Sequence, residues 1–158
     1  MTQPIRRLAG ALVLSLGALA ATSSSPVHGA PPAERRPFQQ KVRIVLPDGQ
    51  CCDNGFVNVP AGKRLVIEYA SATGLANGTQ SFVFEVGTLV NGETMLNKTH
   101  YLPVIQQIQD GNTQAIAGQT VRFYADEGAG RVMLRASRTG AGEATVYMTV
   151  SGHLVNMP

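Results

Sequence analysis

Two cysteines stand side by side at positions 51 and 52, flanked by Asp48, Gly49 and Asp53. Consecutive Cα atoms are ~3.8 Å apart, below the ~4.4–6.8 Å that disulfides usually span. A bond between such neighbours is strained, and strained disulfides are the reducible, regulatory ones. Three outcomes are open for the pair: a vicinal disulfide, a bridge between two chains, or thiols that stay reduced. The plainest role is a clip on a loop. A redox or ligand-sensing role has no C-x-x-C motif to support it.

Other reactive groups are sparse. Besides His28, the chain has His100 and His153, and no G-x-S-x-G elbow places a serine nucleophile beside either. Glu68, Glu85 and the Asp126-Glu127 pair are the carboxylates to consider for glycoside cleavage, which needs two acids ~5–9 Å apart. The chain has no tryptophan to build a sugar-stacking subsite. Cys51, Cys52, His100 and His153 lack the spacing of a zinc or copper site. Asp48, Asp53, Asp110 and Asn112 offer oxygen ligands for calcium but form no D-x-D-x-D series. No catalytic residue, metal or cofactor is expected, and a secreted carbohydrate-active hydrolase is the enzyme alternative.

Binding chemistry has better candidates in Tyr69, Tyr101, Tyr124, Tyr147 and the amides Gln106-Gln107. A tyrosine on a strand face stacks on a sugar ring or anchors a protein interface. Tyr101, Gln106 and Tyr124 are the residues singled out. Against each stands a plainer role, because single half-exposed aromatics need no explanation. Asn77-Gly78-Thr79 and Asn97-Lys98-Thr99 match the glycosylation sequon and read as turns.

The elements that must position these groups have period 2 nearly throughout. Val42, Ile44 and Leu46 share a face, then Pro47-Asp48-Gly49 turns the chain. Phe56–Val59 is closed by Pro60-Ala61-Gly62. Arg64–Ala72 sets Leu65, Ile67 and Tyr69 on one side and Val66, Glu68 and Ala70 on the other. Phe82, Phe84 and Val86 share a face in the next strand, and Asn91-Gly92 is a strong hairpin signal. Pro103 cannot donate to a ladder, so Thr99–Ile108 is expected at an edge or bulge. Gln119–Ala125 alternates again, Arg131–Ser137 turns Val132, Leu134 and Ala136 inward, and Ala144–Ser151 does so with Val146, Met148 and Val150. Gly152 is expected to kink this last strand before His153.

About eight strands with frequent turn signals predict an all-β, antiparallel β-sandwich. Eight strands in two sheets match the jelly roll. An Ig-like sandwich is the alternative, though it lacks the Cys…Trp…Cys framework.

Arg6 and Arg7 precede a small-and-apolar run from Leu8 to Ala21 that ends in Ala18-Leu19-Ala20. A charged n-region, an h-region and an A-x-A site predict a signal peptide over residues 1–21 and export to the periplasm or beyond. The twin arginines leave the Sec and Tat routes both open. The run is about 14 residues, short of the ~20 that cross a bilayer, so no membrane span is expected after cleavage. Residues 22–36 form a Pro/Ser/Ala-rich flexible lead-in. Residues 37–158 then make a single domain.

The chain's formal net charge is +3. Taking away Arg6, Arg7, Arg35, Arg36 and Glu34 leaves nine basic and nine acidic residues, net zero. Nucleic-acid binding needs a clustered basic surface, and Lys63-Arg64 is the one basic pair past the lead-in. Nucleic acid is therefore not an expected partner.

Val59-Pro60-Ala61-Gly62-Lys63-Arg64-Leu65-Val66-Ile67-Glu68 resembles a segment of small secreted bacterial β-sandwich proteins of unassigned function, where it opens a central strand. The resemblance continues at Phe123-Tyr124-Ala125-Asp126 and Ser151-Gly152-His153-Leu154-Val155, so it covers most of the domain. It implies export and a sandwich, and carries no activity. The adjacent cysteines are not part of its pattern. The expectation is an exported, non-catalytic binding or interaction module for a protein or glycan ligand, or else a self-assembling, homo-oligomeric envelope protein.

Overall fold

The computed structural model describes residues 35–90 and 99–157. The leader, residues 22–34 of the lead-in, the Asn91-Gly92 turn and Asn97-Lys98 of the second sequon lie outside the described residues. Among the described residues nine strands follow in order: β1 (Arg36–Leu46), β2 (Cys52–Val59), β3 (Lys63–Asn77), β4 (Ser81–Thr88), β5 (Thr99–Leu102), β6 (Val104–Gln109), β7 (Asn112–Ala125), β8 (Gly128–Thr139) and β9 (Ala144–Asn156). They make two antiparallel sheets, ordered β1-β9-β3-β7-β6 and β2-β8-β4-β5.

The pairing is nested. β1 pairs with β9, β2 with β8, β3 with β7 and β4 with β5, while β3–β9 and β4–β8 join successive coils. The chain is thus one long hairpin rolled into two sheets, which is the jelly-roll arrangement. The Ig-like alternative fails on the last two strands. Ig domains pair them in one sheet, whereas β8 and β9 lie in different sheets here.

Alternation explains the core. Ile44, Leu46, Phe84, Val86, Val132, Leu134, Val146, Met148 and Val150 point inward and are buried. Opposing surfaces match in size. Phe82 and Phe84 stack with centroids 5.6 Å apart, and a Cβ at Gly74 of β3 would sit 3.1 Å from Phe84 Cζ. Ala70, Ala72 and Ala76 of β3, with Ala115 and Ala117 of β7, complete this small-residue floor. Small side chains leave room for two rings between sheets packed ~10 Å apart.

Two expectations need correction. Tyr69 is not on the face of Leu65 and Ile67; it is 45% exposed, and Ala70 is buried instead. The register shifts between Ile67 and Tyr69 against both β7 and β9, so a bulge at Glu68 inverts the alternation beyond it. Gly152 faces this bulge: a Cβ there would lie 1.9 Å from the Val66 carbonyl oxygen. Thr99–Ile108 is not one strand either. It divides at Pro103 into β5, the edge of the four-stranded sheet, and β6, the edge of the five-stranded sheet. The edge position follows from the missing proline N–H.

One end of the sandwich is closed by polar groups. Arg138, 5% exposed, donates through Nη1 to Gln80 Oε1 (2.8 Å) and through Nη2 to the Pro47 carbonyl (2.7 Å). Gln80 Nε2 donates to the carbonyls of Asn77 and Ala141, and the Gln80 N–H donates to Thr113 Oγ1. Three turns are tied together by this set. Among the described residues, no helix is long and apolar enough to cross a membrane.

Candidate functional site

The outer face of the five-stranded sheet is ordered in rows by its pairing. One row runs Arg43, Tyr147, Thr73, Ile116 and Ile105 from β1 to β6. The next runs Val45, Thr145, Leu75, Gln114 and Gln107. Ile116 and Ile105 are directly opposed, and Leu75 lies on the diagonal from Ile116, within reach of a long side chain, so the three make an aliphatic strip across β3, β7 and β6. They are 48%, 72% and 51% exposed. Lys41 Nζ lies 4.4 Å from the centre of the Tyr147 ring, a cation–π contact that holds the ring at the strip's border.

The strip runs into an open depression of about 690 Å³. Arg43, Leu75, Asn77, Gln114, Thr145 and Tyr147 line it. The β6–β7 turn contributes Asp110 and the β8–β9 loop contributes Glu143. That turn is a two-residue connection with positive φ at Asp110 (51°) and Gly111 (75°), the conformation tight hairpins favour. Asp110 therefore serves the turn, and Asp48 Oδ1 accepts a hydrogen bond from the Gly142 N–H at 2.7 Å.

The structure does not bring the three sequence-derived binding candidates onto a shared surface. Tyr101 is 66% exposed on β5 and faces outward from the four-stranded sheet, opposite Glu85. Tyr124 is on the five-stranded sheet, paired with Val66 at the end away from the depression. Gln106 on β6 accepts a hydrogen bond from the Phe82 N–H of β4, beyond the end of β5, and so fastens one sheet to the other. Tyr147 is the tyrosine that borders the strip.

The histidines are separated as well. The His100 ring stacks on Phe123 (centroids 4.0 Å, 13°) and bridges the two sheets. His153 faces out from β9, with Nδ1 3.3 Å from Glu68 Oε1 at the bulge.

The segments that carry the family resemblance meet at one end of the five-stranded sheet. Arg64 is bonded to the buried Asp126, and this hydrogen bond, with the carboxylate's charge behind it, raises the Arg64 pKa above its ordinary value. The Gly62 N–H donates to Glu127 Oε2, and Lys63 Nζ donates to Asn156 Oδ1. The Met157 N–H donates to the Gly62 carbonyl at 2.9 Å. These ties organise backbone.

Cys51 and Cys52 close the turn between β1 and β2. Both are free thiols, with sulfurs 2.8 Å apart; a disulfide bond is ~2.05 Å. Arg135 of β8, which sequence reading passed over, approaches Cys52. It pairs with Asn54, two residues from Cys52 on the same outer face of the four-stranded sheet. The alternation of β8 marks Arg135 as outward-facing, but only the β2–β8 register puts it beside a cysteine.

No protein-family model matches the chain, and no curated protein matches it.

Proposed function

We propose that the chain is an exported, non-catalytic binding module that engages a protein partner with the outer face of its five-stranded sheet. The observation that carries this reading is the half-exposed strip Leu75, Ile116 and Ile105, flanked by Arg43 and Tyr147. Aliphatic side chains beside an arginine and a tyrosine, rimmed by Gln107, Gln114, Thr73 and Thr145, have the make-up of an interface core with its polar rim. Soluble monomers rarely leave such clusters open without use. The leader accounts for where this happens, outside the cytoplasm.

A photo-crosslinking residue at Ile116, in the exported protein in its own cells, tests the reading. A discrete protein adduct is expected, lost on Leu75→Asp and not formed from a probe at Val83 on the other sheet. Adducts of equal yield at both positions, or none at Ile116, would overturn it.

The second reading, self-assembly, is favoured by β6 itself. Its sequence, VIQQIQ, is uncharged and forms a sheet edge. Natural edges are usually blunted by charge, as the opposite edge strand β1 is by Lys41 and Arg43. An Ile116 adduct with the mass of two copies would select this reading.

A further inference from the structure

The cysteine pair lies on the opposite sheet from the strip, and its surroundings differ. Cys51 is exposed and Cys52 is half-buried at the start of β2. Their sulfurs are in contact at 2.8 Å, so either can donate to the other. The loop that carries them is held by Arg138: its backbone N–H donates to the Cys51 carbonyl and its Nε to the Gln50 carbonyl. Gln50 Nε2 donates to the Cys52 carbonyl at 3.0 Å. The pair is thus fixed in place rather than hung on a free loop.

Among the described residues, charged groups act on the pair from three directions, besides the Arg138 guanidinium that bonds the Gln50 carbonyl. Arg135 comes from β8, Glu85 faces Arg135 from β4, and Asp53 follows Cys52 on β2. Arg135 Nε is buried and lacks a hydrogen-bond partner; the β2–β8 register sets the guanidinium on the diagonal from Cys52, where its charge favours the thiolate. The hydrogen bond from Cys51, with Arg135 nearby, lowers the Cys52 pKa, and that same bond raises that of Cys51. Asp53 opposes the effect at Cys52. Of the two, Cys52 is thus the one shifted towards the thiolate and Cys51 the one held towards the thiol. A thiolate beside a cation is the nucleophilic form of cysteine.

We infer that Cys51 and Cys52 form a thiol–disulfide exchange site for low-molecular-weight disulfides, with Cys52 attacking and Cys51 resolving. The Cys52 thiolate attacks one sulfur of R–S–S–R, forming a mixed disulfide and releasing one R–S⁻. That thiolate takes the Cys51 proton and leaves as R–SH. The Cys51 thiolate then attacks Cys52 Sγ, closes the Cys51–Cys52 disulfide and expels the second R–S⁻, which takes a proton from water. The two cysteines are oxidised, and the external disulfide is reduced to two thiols. Closure between neighbours spans less than the usual Cα separation, so free thiols reopen the ring and the site is reversible.

The test uses the full exported chain and oxidised glutathione, followed by intact mass. Wild type should lose two hydrogens and retain no glutathione. Cys51→Ser should retain one glutathione, on Cys52. Cys52→Ser should react more slowly than Cys51→Ser, because the thiol it keeps is the one whose pKa is raised in the pair. Arg135→Gln should shift the pH midpoint of Cys52 alkylation upward and slow it at neutral pH; Arg135→Lys should restore much of the rate. Equal alkylation rates in the two serine variants would overturn the assignment. So would glutathione retained by wild type, or an unchanged pH profile in Arg135→Gln while the protein still melts cooperatively.

Discussion

On the outer face of the five-stranded sheet, Leu75, Ile105 and Ile116 stand among threonine, serine and glutamine side chains. On the outer face of the four-stranded sheet, Arg135 lies between Asn54 and Glu85, with Cys52 on the diagonal. Inside, both sheets are apolar, lined by fully buried Leu65, Ile67 and Val150 on one side and Phe84, Val86 and Leu134 on the other. The difference teaches where specificity resides in this fold. Inward positions must fill a shared volume at close-packed density. Outward positions carry no such constraint, so one face is free to become an adhesive strip and the other a small reactive centre.

The comparison predicts a steep division of mutational effects. Phe84→Ala should cost the most, about 3–5 kcal/mol, read from urea unfolding, because the ring fills the space over Gly74 and leaves a cavity when removed. Gly152→Ala should cost about 3 kcal/mol, since its Cβ meets the Val66 carbonyl oxygen at the bulge and the backbone there has to give. Arg138→Met should cost about 2 kcal/mol by leaving Gln80 Oε1 and the Pro47 carbonyl without their donor. The same variant should speed amide exchange in the turn that carries the cysteines, as measured by mass spectrometry. Tyr147→Ala and Cys52→Ser should change stability by less than about 0.5 kcal/mol, as outward-facing substitutions generally do. Each should still change its own readout: the first should abolish the Ile116 crosslink, and the second should slow reaction with oxidised glutathione and prevent closure of the internal disulfide. A large unfolding penalty from either would break the comparison, because that side chain would then belong to the fold rather than to a surface function.

Strands rich in large apolar residues were legible in the linear chain. Phe82, Phe84 and Val86, or Val146, Met148 and Val150, alternate with polar residues, and burial follows directly from period 2. The first half of β7 was not. Its inward residues are Thr113, Ala115 and Ala117, whose small side chains give little contrast with their neighbours. Ala115 is the ladder partner of Gly74, over which the two phenylalanines of the other sheet pack, and Thr113 accepts from the Gln80 N–H; both are facts of packing between distant segments. The bulge at Glu68 escaped for a related reason. It is an agreement among β3, β7 and β9, and Gly152, its visible trace, lies far along the chain from it.

The candidate sites divide the same way. The cysteine pair was visible as adjacent letters, but its partner Arg135 was not. Tyr101, Gln106 and Tyr124 were plausible by residue type, yet they fall on different surfaces, and Gln106 bonds the Phe82 backbone. Leu75, Ile105 and Ile116 drew no notice, because an exposed aliphatic residue on a strand looks the same in sequence as a buried one.

By itself, the linear order of residues settled the all-β class, most turns, the buried faces of the large-residue strands and the neighbourhood of the two thiols. These depend on local stereochemistry: alternating side chains, glycine at positive φ and proline without an N–H. Only the tertiary structure decided which strands lie beside which, and therefore that three aliphatic side chains form one strip and that a guanidinium reaches Cys52. Register joins residues dozens of positions apart, and it comes from the rolled hairpin as a whole, with the fit of one sheet's side chains into the other.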